Sequence, residues 1–178
     1  MADRPVFGVI GNACSELVEM ISLTPLIMHL TPKPAGFAHL WFRQVAGAAE
    51  FAQIRPEALP LPACWVVRAA DKVSHAGERA EDLTLGFDVV MAIENVRTHK
   101  PGETDDILLA YRKAIKTLLL GWELEPDVKP IKFGGGQVLE YSDGDIYWRD
   151  RYEFDALVTN YLPDPPAFDR LVHTGDRL

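Results

Sequence analysis

Cysteine is scarce in this chain, cationic charge is outnumbered and no apolar run is long. Each shortage removes a class of function. The two cysteines, Cys14 and Cys64, lie far apart and no Cys-x-x-Cys occurs, so neither a zinc ribbon nor a dithiol redox motif is indicated. Cys64 sits in Ala63-Cys64-Trp65-Val66-Val67 and reads as a buried free thiol, which fits a reducing compartment. There are 18 Lys and Arg against 26 Asp and Glu, a formal net charge of −8. Sequence-independent nucleic-acid affinity comes from cations that neutralise phosphates, so DNA or RNA gripping is not expected. A protein that lets DNA pass without adhering remains compatible. The longest apolar region, Leu17 to Leu30, carries Glu19, Ser22 and Pro25 and is too broken to span a bilayer. Glu16 and Glu19 interrupt the N-terminal apolar stretch and no cleavage site follows, so no secretory signal is read. The expectation is a soluble, cytoplasmic chain.

Catalytic patterns are missing too. Phe133-Gly134-Gly135-Gly136-Gln137 is followed by Val138-Leu139 rather than Lys-Ser/Thr, so it is no phosphate loop; it reads as a backbone bend at a strand start. Asp143, Asp145, Asp150 and Glu153 lack EF-hand spacing and read as turn and strand-surface charges. His29, His39, His75, His99 and His173 contain no pair at helical ligand spacing with a Glu between. Ser74 beside His75 is adjacency, which is not how triads are recognised. No catalytic, metal or cofactor residue is assigned.

What is present is a well-patterned globular chain. It has 178 residues, 48% of them apolar and 25% charged, enough for one domain burying roughly 70% of its unfolded surface. Residues 1–36 read as an added arm: Asn12 or Ser15 caps a short helix through Met20, and Pro25, Pro32 and Pro34 then forbid regular structure. Phe37, Trp41, Val45, Ala48 and Ala52 recur at helical spacing, with Gly47 a possible break. Ala63 to Arg68 reads as a strand buried on both sides. Ala69 to Asp82 is polar and reads as a long exposed loop. Leu83, Leu85, Phe87, Val89, Met91 and Ile93 alternate strictly with their neighbours, which predicts a long strand. Thr104 is placed to cap a helix running to Leu120, about sixteen residues or roughly 24 Å. Its stripe is Ile107, Tyr111, Ile115 and Leu118, widened by Leu108, Ala114 and Leu119, with Arg112, Lys113 and Lys116 facing water; Gly121 stops it. Asp143-Gly144 signals a hairpin. On its outgoing strand, Ile146, Trp148, Tyr152, Phe154, Ala156 and Val158 share a face that Asp150 interrupts, a break that a bulge or strand edge would accommodate. The order predicts an α+β fold: a small, mostly antiparallel sheet covered on one face by helices, spanning residues 37–162, with a polar tail at 163–178.

The pieces together resemble the tail terminator family of long-tailed bacteriophages. Gln44-Val45-Ala46-Gly47-Ala48-Ala49-Glu50-Phe51-Ala52 leads to Pro62-Ala63-Cys64-Trp65-Val66-Val67. A polar loop precedes the strand Leu83 to Arg97. The helix ends in Gly121-Trp122-Glu123-Leu124-Glu125-Pro126, and the hairpin Phe133 to Phe154 carries the glycine cluster and a late Tyr152-Glu153-Phe154. The resemblance covers Phe37 to Tyr161 and departs at the longer N-terminal arm. It implies a non-enzymatic virion protein: a homohexameric ring on the head-proximal end of the tail tube. Such a ring ends tube growth, presents a surface to head-completion or connector proteins, and lets DNA pass through its bore.

A ring of this kind needs heterologous side contacts and two different end faces, which polar loops supply. The residues expected at contacts with the tube or a neighbouring subunit are Asp71, Lys72, His75, Glu78, Arg79, Arg97, Lys100 and Trp122. Asp71, Glu78, Glu81 and Asp82 are expected to face the bore, where acids repel phosphate. Two other readings stand beside this one. A head-completion stopper or other neck protein would bind the connector rather than the tube end. A small α+β enzyme or ligand-binding domain would need a concave pocket with convergent polar groups.

Overall fold

The computed structural model describes residues 21–53, 59–76, 80–94, 103–126, 128–141 and 145–159. In chain order the elements are α1 (Thr24–Leu30), β1 (Gln44–Ala46), α2 (Ala48–Phe51), β2 (Ala63–Arg68), β3 (Lys72–Ala76), β4 (Ala80–Glu94), α3 (Glu103–Leu119), β5 (Lys132–Tyr141) and β6 (Asp145–Thr159). The fold is α+β. Its six-stranded sheet runs β1-β2-β4-β6-β5, with β3 also paired to β4; β1 is parallel to β2 and every other pairing is antiparallel.

The two alternating strands dominate. β4 and β6 pair over their whole length, from Ala80↔Thr159 to Glu94↔Asp145, without a register shift. Because β6 occupies one edge of β4 throughout, β2 and β3 share the other: β2 lies beside Phe87–Ala92 and β3 beside Glu81–Thr84. Between them the chain kinks over Ala69–Asp71, where the Ala69 amide donates to the Gly86 carbonyl. A β-carbon on Gly86 would lie 2.8 Å from the Ala70 carbonyl oxygen, so only glycine admits this approach.

Period-2 alternation divides the buried side chains between two faces. Cys64 and Val66 of β2, the odd residues Leu83 to Ile93 of β4, and Ile146, Tyr152, Phe154 and Ala156 of β6 join Leu26 and Leu30 of α1 and Leu108, Tyr111, Ile115 and Leu119 of α3 in the larger cluster. Ala63, Trp65, Val90 and Ala92 form a smaller cluster on the other face, against Phe51, Leu59, Leu61 and Tyr147.

Several expectations are corrected. The helical period from Phe37 to Ala52 yields no long helix: residues 37–43 are irregular, 44–46 form β1, and only Ala48–Phe51 is helical. Tertiary packing overrides the period there. The adjacent Trp41 and Phe42 are both buried, both lie against the Tyr111 ring, and the Trp41 indole N–H donates to the Leu30 carbonyl at 2.8 Å. The polar stretch 69–82 is not a loop throughout, because β3 and the start of β4 occupy most of it; β3 reads as polar because it is an edge strand. Pro25 does not forbid structure in the arm. It sits in the first turn of α1, where its missing N–H costs nothing, and Leu26 and Leu30 are fully buried. α3 begins at Glu103, one residue before the expected cap. Its buried residues, Leu108, Tyr111, Ile115 and Leu119, lie within the expected widened stripe, whereas Arg112, expected to face water, is mostly buried. The expected helix through Met20, the Asp143-Gly144 turn and the tail at 163–178 lie outside the described residues.

Candidate interaction surfaces

Beyond the smaller apolar cluster, the same face of the sheet becomes a lattice of opposite charges. Register places Arg151 opposite Asp88 and Asp155 opposite Thr84. Arg151 donates to both Asp88 oxygens, one contact being very short and the other 3.2 Å, and Arg149 stands 3.6 Å from the same carboxylate. Lys72 of β3 pairs with Glu153 at 3.1 Å. Lys132 of β5 pairs with Asp155 at 2.7 Å, and Thr84 donates to that carboxylate at 2.9 Å. These bonds, Lys132 first and then Thr84, hold the Asp155 carboxyl below its ordinary range. The hydrogen bond to Asp88 raises Arg151 further above its own. Cross-strand pairs of opposite charge fix register, so this face is a stiff, patterned, half-exposed surface.

A second charged group is buried on the opposite face. Asp150 has no solvent exposure. Arg112 reaches down from α3 with Nε 3.0 Å from Oδ2 and Nη2 2.9 Å from Oδ1, and the Trp148 indole N–H donates to Oδ1 at 2.8 Å. The guanidinium also lies 4.3 Å from the Trp148 ring centroid. The Asp150 side chain fills the space a β-carbon on Gly136 would take, 2.1 Å from Oδ1. So the break in the β6 apolar face is accommodated not by a bulge in β6, which is regular here against β4, but by an ion pair beneath a glycine of β5. The glycine cluster does bend the chain as expected, with a register shift between Phe133 and Gly135. Sequence reasoning missed the pair; its signals were a lone carboxylate on an apolar strand face and a glycine triplet in the partner strand.

The expected contact residues separate. Asp71 accepts from the Gly86 amide at 3.2 Å and so stabilises the β2–β3 kink. Lys72 is exposed and paired to Glu153. His75 is in β3, its backbone opposite Asp82. Glu81 is half-buried and Asp82 exposed, both on β4 rather than in a loop. Trp122 is half-buried, its ring stacked on His29 at 4.2 Å, and His29 Nε2 bonds the Leu118 carbonyl at 3.0 Å. Glu78, Arg79, Arg97 and Lys100 lie outside the described residues.

Two shallow clefts flank α3. One of about 430 Å³ is lined by Leu109, Arg112, Lys113, Lys116, Thr117 and Leu120. Another, about 370 Å³, lies between α3 and residues 34–39. Neither gathers an acid, a base and a nucleophile. Burial pushes the Cys64 thiol far up, away from the thiolate that reacts. Among the described residues, no His, Cys, Asp and Glu cluster of three or more is arranged to hold a metal ion, and no helix is long and apolar enough to cross a membrane.

Residues 34–161 match the family model described as phage tail terminator protein. A chain of the virion of a native gene transfer agent particle is similar over 88% of this chain and 100% of its own, at 11% identity and a TM-score of 0.43. No curated protein matches.

Proposed function

This chain belongs to the phage tail terminator family, and from that premise we propose that it caps the head-proximal end of the tail tube as a homohexameric ring. The family is one of structural tail proteins rather than enzymes, which makes the chain a phage tail structural protein that assembles with other virion components. In the proposed role the ring ends tube polymerisation, offers its other face to a head-completion or connector protein, and lets DNA through its bore. The observation that carries this reading is the family match over residues 34–161.

The physical properties support it. A block held between two polymers must keep its shape under load, and the full-length β4–β6 pairing with its charge lattice resists shear. A net charge of −8 disfavours the counterion-release attraction that would hold DNA in the bore. Residues 37–162 are the proposed core, flanked by the arm 1–36 and the tail 163–178, with α1 of the arm packed into the core. Asp71, Lys72, His75, Glu78, Arg79, Arg97, Lys100 and Trp122 remain the proposed contacts, and Glu81 and Asp82 the proposed bore-facing acids.

Deletion of the gene from its phage tests the role. Overlong, headless tails are expected, together with six-fold rings of purified protein on tube ends by negative-stain imaging. Tails of normal length beside heads that leak DNA would reassign the protein to a stopper role.

A further inference from the structure

β5 ends the sheet. One side of it pairs with β6, and its other side has no strand partner among the described residues. Residues 132–134 and 136–140 are exposed. Exposed edges are usually blunted by charge, proline or bulges. Here Lys132 and Glu140 stand near the ends, and the seven residues between them, Phe133 to Leu139, carry neither charge nor proline. Bulges interrupt the pairing with β6 near Phe133/Gly135 and Val138/Glu140, leaving Gly135–Val138 in continuous register. Phe133, Val138 and Leu139 are exposed apolar side chains on this strand. The edge is a short, uncharged template for an added strand.

The sequence contains one matching uncharged run outside the described residues, Val6-Phe7-Gly8-Val9-Ile10, rich in β-branched and aromatic residues. Described structure begins at Ile21, whose carbonyl accepts from Arg68 at the end of β2. The first described residue is therefore on the β2 side of the sheet, and the open edge is on the β5 side. Ten residues, 11–20, separate the uncharged run from Ile21, a reach of about 33 Å when extended. A ring closed by one repeated heterologous contact sets one side of each subunit against a different side of the next.

We infer that residues 6–10 of one copy add as a strand to the β5 edge of the adjacent copy, tying the ring together. This rests on the ring reading above. The test uses full-length protein in a Cys14→Ser background, in two populations, one carrying Val9→Cys and the other Val138→Cys; Cys64 is buried and stays silent. The populations are mixed under conditions where wild-type rings form and treated with a short bismaleimide. The inference expects a species of twice the chain mass containing both variants, and at least a tenfold higher dissociation concentration for protein lacking residues 1–12. No cross-link between populations overturns it, as does an unchanged dissociation concentration. Wild-type rings without the cross-link would sink this inference alone. Wild-type protein that forms no ring, free or on tubes, would sink the ring reading and this inference with it.

Discussion

Arg112 on α3 and Asp150 on β6 form a two-pronged ion pair in which the carboxylate is wholly removed from solvent and the arginine is only 18% exposed. Helix and sheet are joined here by charge as well as by apolar packing, under the glycine strand that the sheet leaves open. Removing one partner leaves the other buried and uncompensated. Arg112→Met is expected to cost about 3–5 kcal/mol of stability, and replacing both residues by apolar ones is expected to cost much less. Urea denaturation of the two single variants and the double variant measures the coupling. A loss under about 1 kcal/mol for Arg112→Met would show that water reaches Asp150.

Glycine substitutions test the close approaches in the sheet. Gly136→Ala drives a β-carbon against the Asp150 carboxylate, and Gly86→Ala drives one to 2.8 Å from the Ala70 backbone carbonyl oxygen. Each variant is expected to lose about 1–3 kcal/mol. Unchanged thermal melts for both would contradict the close approaches described.

The arm contributes to the fold through α1. Leu26 and Leu30 are fully buried although they precede the family match that begins at residue 34. Leu26→Ala and Leu30→Ala are each expected to cost about 2–5 kcal/mol. A chain starting at residue 34 should melt earlier than one starting at residue 21. Identical melting of those two chains would mean that α1 adds nothing.

Acid should weaken the charge lattice at Asp155. Its carboxyl is held low by hydrogen bonds from Lys132 and Thr84. A carboxylate whose pKa falls on folding adds stability above its unfolded value, about 3.9, and loses it as pH drops through the folded value. The Asp155 side chain is 30% exposed and that of Lys132 63%, so Asp155→Asn is expected to cost no more than about 1 kcal/mol at pH 7. The difference from wild type should shrink below about pH 4. A gap that widens in acid would reverse the assigned direction.

Strand periodicity carried most of the legible fold. The alternation from Leu83 to Ile93 and from Ile146 to Val158 needs only neighbouring residues, and it identified the two central strands and their buried faces. Pro25 and Trp41 misled for one shared reason. Their conformations depend on what lies across the core: a proline is harmless in a first helical turn, and two adjacent aromatics follow their burial rather than a helical period. β3 was hidden because an edge strand can be polar on both sides and still be held by β4.

Local patterning thus settled which segments alternate, where α3 stops, and that the chain builds an α+β domain with little cationic surface, because those properties depend on residues near one another in the chain. Long-range contact settled the rest. Asp150 announced a conflict in its own strand, but its resolution lies 38 residues away at Arg112 and beneath Gly136 on a third element. No spacing rule encodes that meeting, since it exists only once α3 has packed onto the paired β5 and β6.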